Sequence, residues 1–177
     1  MNQFLSNRVT PVVLALSALL LCAGRTHATE ISGTISTTLT IYDNSELVGD
    51  VTCMVTDGPC VKFGAPDITL KLNGFTITGR ADPPDNCTSS SVFAPEDGIL
   101  VPSQHDVAVL GPGLVQKFRR FGIFLSPGTT KAKVKHVTVS HNCFSGIQVS
   151  GTSDSDIEKN VSVRNASGSA GFSCGGT

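Results

Sequence analysis

One short phrase keeps returning along this chain: a Gly followed by an apolar, any, and an apolar residue. GILV begins at Gly98, GIFL at Gly122, GIQV at Gly146 and GFSC at Gly171, in steps of 24, 24 and 25 residues. A period of this size restricts the fold more than composition does, because each repeat must bury its apolar face against the next copy. Apolar-any-apolar spacing sends two side chains to one face of a strand and one to the other. The inward pairs are then Ile99/Val101, Ile123/Leu125, Ile147/Val149 and Phe172/Cys174. Other strand signals keep the same phase. Leu114-Val115, Val137/Val139 and Val161/Val163 precede the later glycines, and Val109, Val134 and Ile157 follow the earlier ones. Each period therefore holds three short strand signals between polar turns.

A helical solenoid would need an i, i+3, i+4, i+7 stripe over ten or more residues, and none is present. A leucine-rich repeat would need a fixed Leu and Asn framework, which is also missing. An antiparallel sandwich would not hold one phrase in phase for four rounds. The spacing predicts an all-β parallel β-helix of about 24 residues per coil, in which like strands stack about 4.8 Å apart. Ile68 to Gly79 (ITLKLNGFTITG) reads as a further coil, with Ile68, Leu70, Leu72, Phe75 and Ile77 inward. Asn73, Asn142 and Asn165 sit in turns, where Asn tolerates left-handed backbone and can hydrogen-bond along a stack.

Residues 1–28 carry one early cation, the apolar run Pro11 to Ala23 and small residues at Thr26-His27-Ala28, as a cleaved signal peptide does. That run is too short to span a bilayer as a stable helix. The β-helix domain is then 29–177, with 31–64 as an N-terminal cap or first coil and 80–97 as an inserted loop rich in Pro, Asn and Ser. The repeat is still running at Cys174, so the C-terminal end reads as uncapped, to be covered by a partner or by further coils. Export permits disulfides. Cys53 and Cys60 flank the turn Asp57-Gly58-Pro59 and are the expected pair; the partners of Cys87, Cys143 and Cys174 stay open. Asn86, Asn160 and Asn165 head glycosylation sequons, with Asn160 expected outward beside an inward Val161.

The stretches DVTC at Asp50, PCVKF at Pro59 and ITLKLNGFTITG at Ile68, with the later Gly-Ile-x-Val repeats, resemble the right-handed parallel β-helix proteins of the pectin-lyase-like superfamily. The pattern is closest to the NosD-like, carbohydrate-binding and sugar-hydrolase branch, and it covers Val48 to Thr177. The resemblance implies right-handed winding and a polysaccharide partner. It does not choose among lyases, hydrolases, epimerases and inert surface proteins of the same fold.

Polygalacturonase-like members carry short Asp motifs and a Gly-His-Gly, and neither occurs here. No residue is read as catalytic. The formal net charge is −1 with no long basic run, so no nucleic-acid partner is expected. Cysteine spacing offers no metal site. Asp154, Asp156 and Glu158 form one carboxylate group, read as a solvated turn with calcium as the alternative. His105-Asp106 is set aside, because neighbours on a strand point to opposite faces. The substrate-binding candidates are Lys117, Arg119, Lys133, Lys135, His136 and His141, beside Arg120 and Lys131, as a basic strip for acidic polysaccharide. Leu100 and Phe124 are outward on adjacent coils, forming an apolar patch that the loop residues Val92 and Phe93 could cover. The expected function is a secreted module that binds or displays toward polysaccharide without catalysis of its own. The alternatives are the front part of a polysaccharide lyase or hydrolase, and a structural spacer.

Overall fold

The computed structural model describes residues 28–81, 87 and 95–166. These form thirteen strands and no helix. In chain order they are β1 (Thr29–Ile35), β2 (Leu39–Ile41), β3 (Ser45–Cys53), β4 (Val61–Phe63), β5 (Thr69–Lys71), β6 (Thr76–Thr78), β7 (Ile99–Val101), β8 (Ala108–Gln116), β9 (Ile123–Leu125), β10 (Lys133–Ser140), β11 (Ile147–Val149), β12 (Asp156–Glu158) and β13 (Val161–Val163). They make two sheets, and all described pairings are parallel. The five-stranded sheet runs β11-β9-β7-β4-β2. The eight-stranded sheet runs β1-β3-β5-β8-β10-β12, with β6 against β3 and β8, and β13 against β10. This order is compatible with a solenoid. The segment 31–64 takes part in it through β1 to β4, which already lie in the same two sheets.

The repeated phrase owes its regularity to register. Ile99 pairs with Ile123 and Ile123 with Ile147, while Val101 pairs with Leu125 and Leu125 with Val149. On the other sheet Val109, Val134 and Ile157 form one row, and Ile77, Val115 and Val139 another. The earlier members of these rows, with Phe63, Leu70 and Leu72, form the main core. In the last strands of the two sheets Val149 and Ile157, although in register with it, are 43% and 38% exposed, so Val149 is not the buried side chain expected of it. Each fully buried Val, Leu or Ile contributes about 1.5–3 kcal/mol. The Gly that opens the phrase has a steric reason as well. A Cβ at Gly98 would collide with the carbonyl oxygen of Gly122, and one at Gly122 would sit 2.6 Å from that of Gly146.

Two of the three expected strand signals merge in β8 and β10, which bend with a register shift between Lys135 and Val137. One expected inward pair is wrong. Val161 pairs with Thr138, and Val163 with Ser140, so Ser162 takes the row of Val139. This step is one residue shorter than the 24-residue shift that would align Val161 with Val137. A slip of one residue turns every side chain to the other face. Val161 and Val163 accordingly lie outward, 51% and 44% exposed.

The turn asparagines do hydrogen-bond along the stack. Asn142 Oδ1 accepts the Phe118 N–H at 3.0 Å, and Asn165 Oδ1 accepts the Asn142 N–H at 3.0 Å. Asn160 is not the outward side chain expected of it. Its Oδ1 accepts the Val137 N–H, and its Nδ2 donates to the Val134 carbonyl at 2.7 Å. Cys53 and Cys60 form the expected disulfide, with Cα atoms 5.9 Å apart. A second disulfide joins Cys87 of the inserted segment to Cys143, 56 residues on. Ala81 and Phe144 pack around it in a small separate cluster. Cys174, Phe172, Val92 and Phe93 lie outside the described residues.

Candidate functional site: a cationic corner

Among the described residues, twelve other than glycine have left-handed backbone, and most fall into columns. Thr78 pairs with Gln116, Gln116 with Ser140, and Ser140 with Val163. The residues that follow the last three are Lys117, His141 and Arg164, with φ of 59°, 52° and 52°. The column is tied by backbone bonds, Lys117 N–H to Ser140 O and His141 N–H to Val163 O, both 3.3 Å. A left-handed residue ends each strand here and swings the chain toward the five-stranded sheet. Three cationic residue types thus occupy successive rungs of one corner. Sequence reasoning named Lys117 and His141 and missed Arg164. The signal was available, since Arg164 directly follows a Val-Ser-Val run as His141 follows Val-Thr-Val-Ser.

The remaining candidates are not part of that column. Arg119 Nη1 donates to Glu96 Oε1 at 3.2 Å, and Arg80 Nη2 lies 3.5 Å from Glu96 Oε2. Lys135 Nζ is held by Asp156 Oδ2 at 2.5 Å and by Glu158 Oε1 at 2.9 Å. These two partners, Asp156 first, hold the Lys135 ammonium above its ordinary pKa. The carboxylates weighed for calcium are therefore engaged with a lysine. Lys133 is exposed on the sheet, between Ala108 and Asp156 in register. His136 is exposed at the bend of β10, with φ 58°. The expected single basic strip is thus divided between a corner and a sheet face, and part of it is neutralised.

Beside the corner lies a cluster that the sequence did not suggest. Asp97 is fully buried, and its carboxylate takes Arg120 Nε at 2.7 Å, Arg120 Nη2, and the Phe121 N–H at 3.2 Å. Burial raises the Asp97 pKa, and the Arg120 hydrogen bond and charge act against that rise. The guanidinium also lies over Phe121 and Phe124, 5.0 and 5.3 Å from the ring centroids. Phe124 pairs with Leu100 and with Gln148, so the expected outward apolar pair is present and half-buried. A separate concavity of about 310 Å³ is lined by Ala28, Asn44, Ser45, Thr69 and Lys71, and it brings together no acid–base pair.

No protein-family model, no curated protein and no solved structure matches this chain. Among the described residues, no helix is long and apolar enough to cross a membrane.

Proposed function

We propose that this chain is a secreted right-handed β-helix module that holds acidic polysaccharide along one corner of its stack. Coils of about 24 residues are supported by contacts between side chain and backbone that recur 23 or 24 residues apart. Secretion is supported by the N-terminal apolar run and by two disulfides, which persist in oxidising compartments.

The column of Lys117, His141 and Arg164 carries the binding reading. Left-handed backbone costs a residue with a side chain roughly 1–2 kcal/mol, a cost that Gly avoids. Cationic types placed there three times point to a use for the side-chain tips. Rungs about 4.8 Å apart set Lys117 and Arg164 at a fixed pitch, with the His141 imidazole on the rung between them. A polymer with a carboxylate on each sugar ring is complementary to such a line, and Arg can grip a carboxylate through two parallel bonds. Phe124 and Leu100 add an apolar face for a sugar ring. No residue is given a catalytic role.

The test is depletion from solution by insoluble pectate and alginate, with cellulose as the uncharged control. Arg164→Ala and His141→Ala should each reduce salt-sensitive depletion several-fold. Both side chains are at least partly exposed, so the fold should survive. Unchanged depletion in both variants, or none by either acidic polymer, overturns the reading in favour of a spacer. Release of unsaturated or reducing ends from the polymer would overturn it in favour of an enzyme.

A further inference from the structure

At another corner, the one leading into the eight-stranded sheet, Asp67, His105 and Asp106 gather. One ligand atom from each lies within 4.8 Å of the others. His105 Nδ1 is 3.1 Å from Asp106 Oδ2. Their meeting follows from register. Thr69 pairs with Ala108, so two residues earlier Asp67 and Asp106 stack on adjoining rungs. Both are left-handed, with φ of 58° and 53°. The Asp67 N–H donates to the His105 carbonyl at 3.1 Å, and the Asp106 N–H donates to the Thr130 carbonyl at 3.2 Å. His105 itself bridges to Thr130. It is not inside a strand, so the alternation used to set His105-Asp106 aside does not apply. The left-handed Asp106 turns its carboxylate back to the imidazole.

The charges at this corner are unbalanced. Two carboxylates on adjoining rungs repel each other. No Lys or Arg among the described residues forms an ion pair with either. Where carboxylates adjoin elsewhere, at Glu96–Asp97 and Asp156–Glu158, Arg and Lys hold them. Lys131 follows Asp106 in the same column without pairing to it.

We propose that Asp67, His105 and Asp106 form a zinc site, separate from the cationic corner. A neutral imidazole nitrogen and two carboxylate oxygens supply three of the four positions of tetrahedral zinc, and water can take the fourth. Their two negative charges cancel the charge of the ion. The nitrogen distinguishes this set from calcium and magnesium sites, which are built from oxygen alone. Ligands about 2 Å from zinc stand roughly 3.3 Å from one another in a tetrahedron. The His105–Asp106 separation already meets that spacing, and Asp67 closes the site by rotating its side chain. The expectation of no metal rested on cysteine spacing and on the lack of an accompanying His cluster, neither of which registers a group assembled by strand pairing.

The experiment is calorimetric titration of the full secreted chain with zinc chloride at neutral pH. One zinc per chain is expected, with a Kd in the micromolar range. His105→Ala and Asp67→Asn should each weaken binding at least tenfold. Both residues are exposed, so their metal-free melting temperatures should match the parent's. His136→Ala, at an unrelated histidine, should bind zinc as the parent does. The proposal is overturned by zinc binding that survives His105→Ala, by no zinc binding below about 1 mM, or by calcium displacing the zinc.

Discussion

Asp97 shows how much one residue's environment can decide. Directly before Gly98 it looks like any polar turn residue. In the fold it is fully buried against Arg120. Burial outweighs that partner and raises its pKa. Between the ordinary carboxylate range and this raised value, the folded state binds more protons than the unfolded one. Stability therefore falls as pH rises through that window. Asp97→Asn mimics the protonated acid. Its urea-unfolding free energy should lack this part of the slope, and it should cost about 1–2 kcal/mol at neutral pH. One of the carboxylate oxygens that accept from Arg120 and Phe121 is lost, while Arg120 keeps partial exposure and its ring contacts. Arg120→Met leaves a buried carboxylate unpaired and should cost about 3 kcal/mol or more. Equal losses in the two variants would contradict the assignment of Asp97 as the strained partner. None of this is legible in the sequence, since neither the depth of Asp97 nor the approach of Arg120, 23 residues on, leaves a local pattern.

At the scale of the element, the Gly-led strands β7, β9 and β11 are where prediction and structure agree most closely. Their pattern is local, and their register repeats at a constant step. The last described strand, β13, is where a constant step misleads. A polar turn can lose one residue at little cost, yet that loss exchanges the two faces of the strand after it. This difference can be measured. Val139→Asp buries a carboxylate in the core and should cost about 4 kcal/mol or more, enough to prevent folding. Val161→Asp places the same group on the outer face and should cost under about 0.5 kcal/mol by urea unfolding. Equivalent damage from both would restore the inward reading of Val161. The columns of left-handed Lys, His, Arg and Asp were missed for a related reason. Lys and Arg are not turn formers by habit, and Asp and His, which do enter that region, leave no local sign of which turn holds them there.

For the molecule as a whole, the two disulfides do unequal work. Cys53–Cys60 closes a turn of separation 7, and Cys87–Cys143 spans 56 residues, fastening the inserted segment beside Arg119 and Arg120. Loop-closure entropy gives about 2.5 kcal/mol for the first and about 4 kcal/mol for the second. Replacing both Cys87 and Cys143 by Ser should therefore lower the unfolding free energy more than replacing both Cys53 and Cys60. The reverse order would mean that the long cross-link constrains little in the unfolded chain.

The sequence by itself determined the class of fold: short strands, all-β, stacked in phase, with Cys53 and Cys60 paired across a turn. Those properties are periodic or local, and a period in the chain becomes a row in the stack. Tertiary structure alone decided which charges meet. Asp97 with Arg120, Lys135 with Asp156 and Glu158, Lys117 above His141 and Arg164, and Asp67 beside His105 all join residues from separate stretches of chain that the parallel sheets bring side by side. A turn can gain or lose a residue without disturbing its own strand, so the register between neighbouring strands is settled only when they pair. That register sets which side chains share a corner.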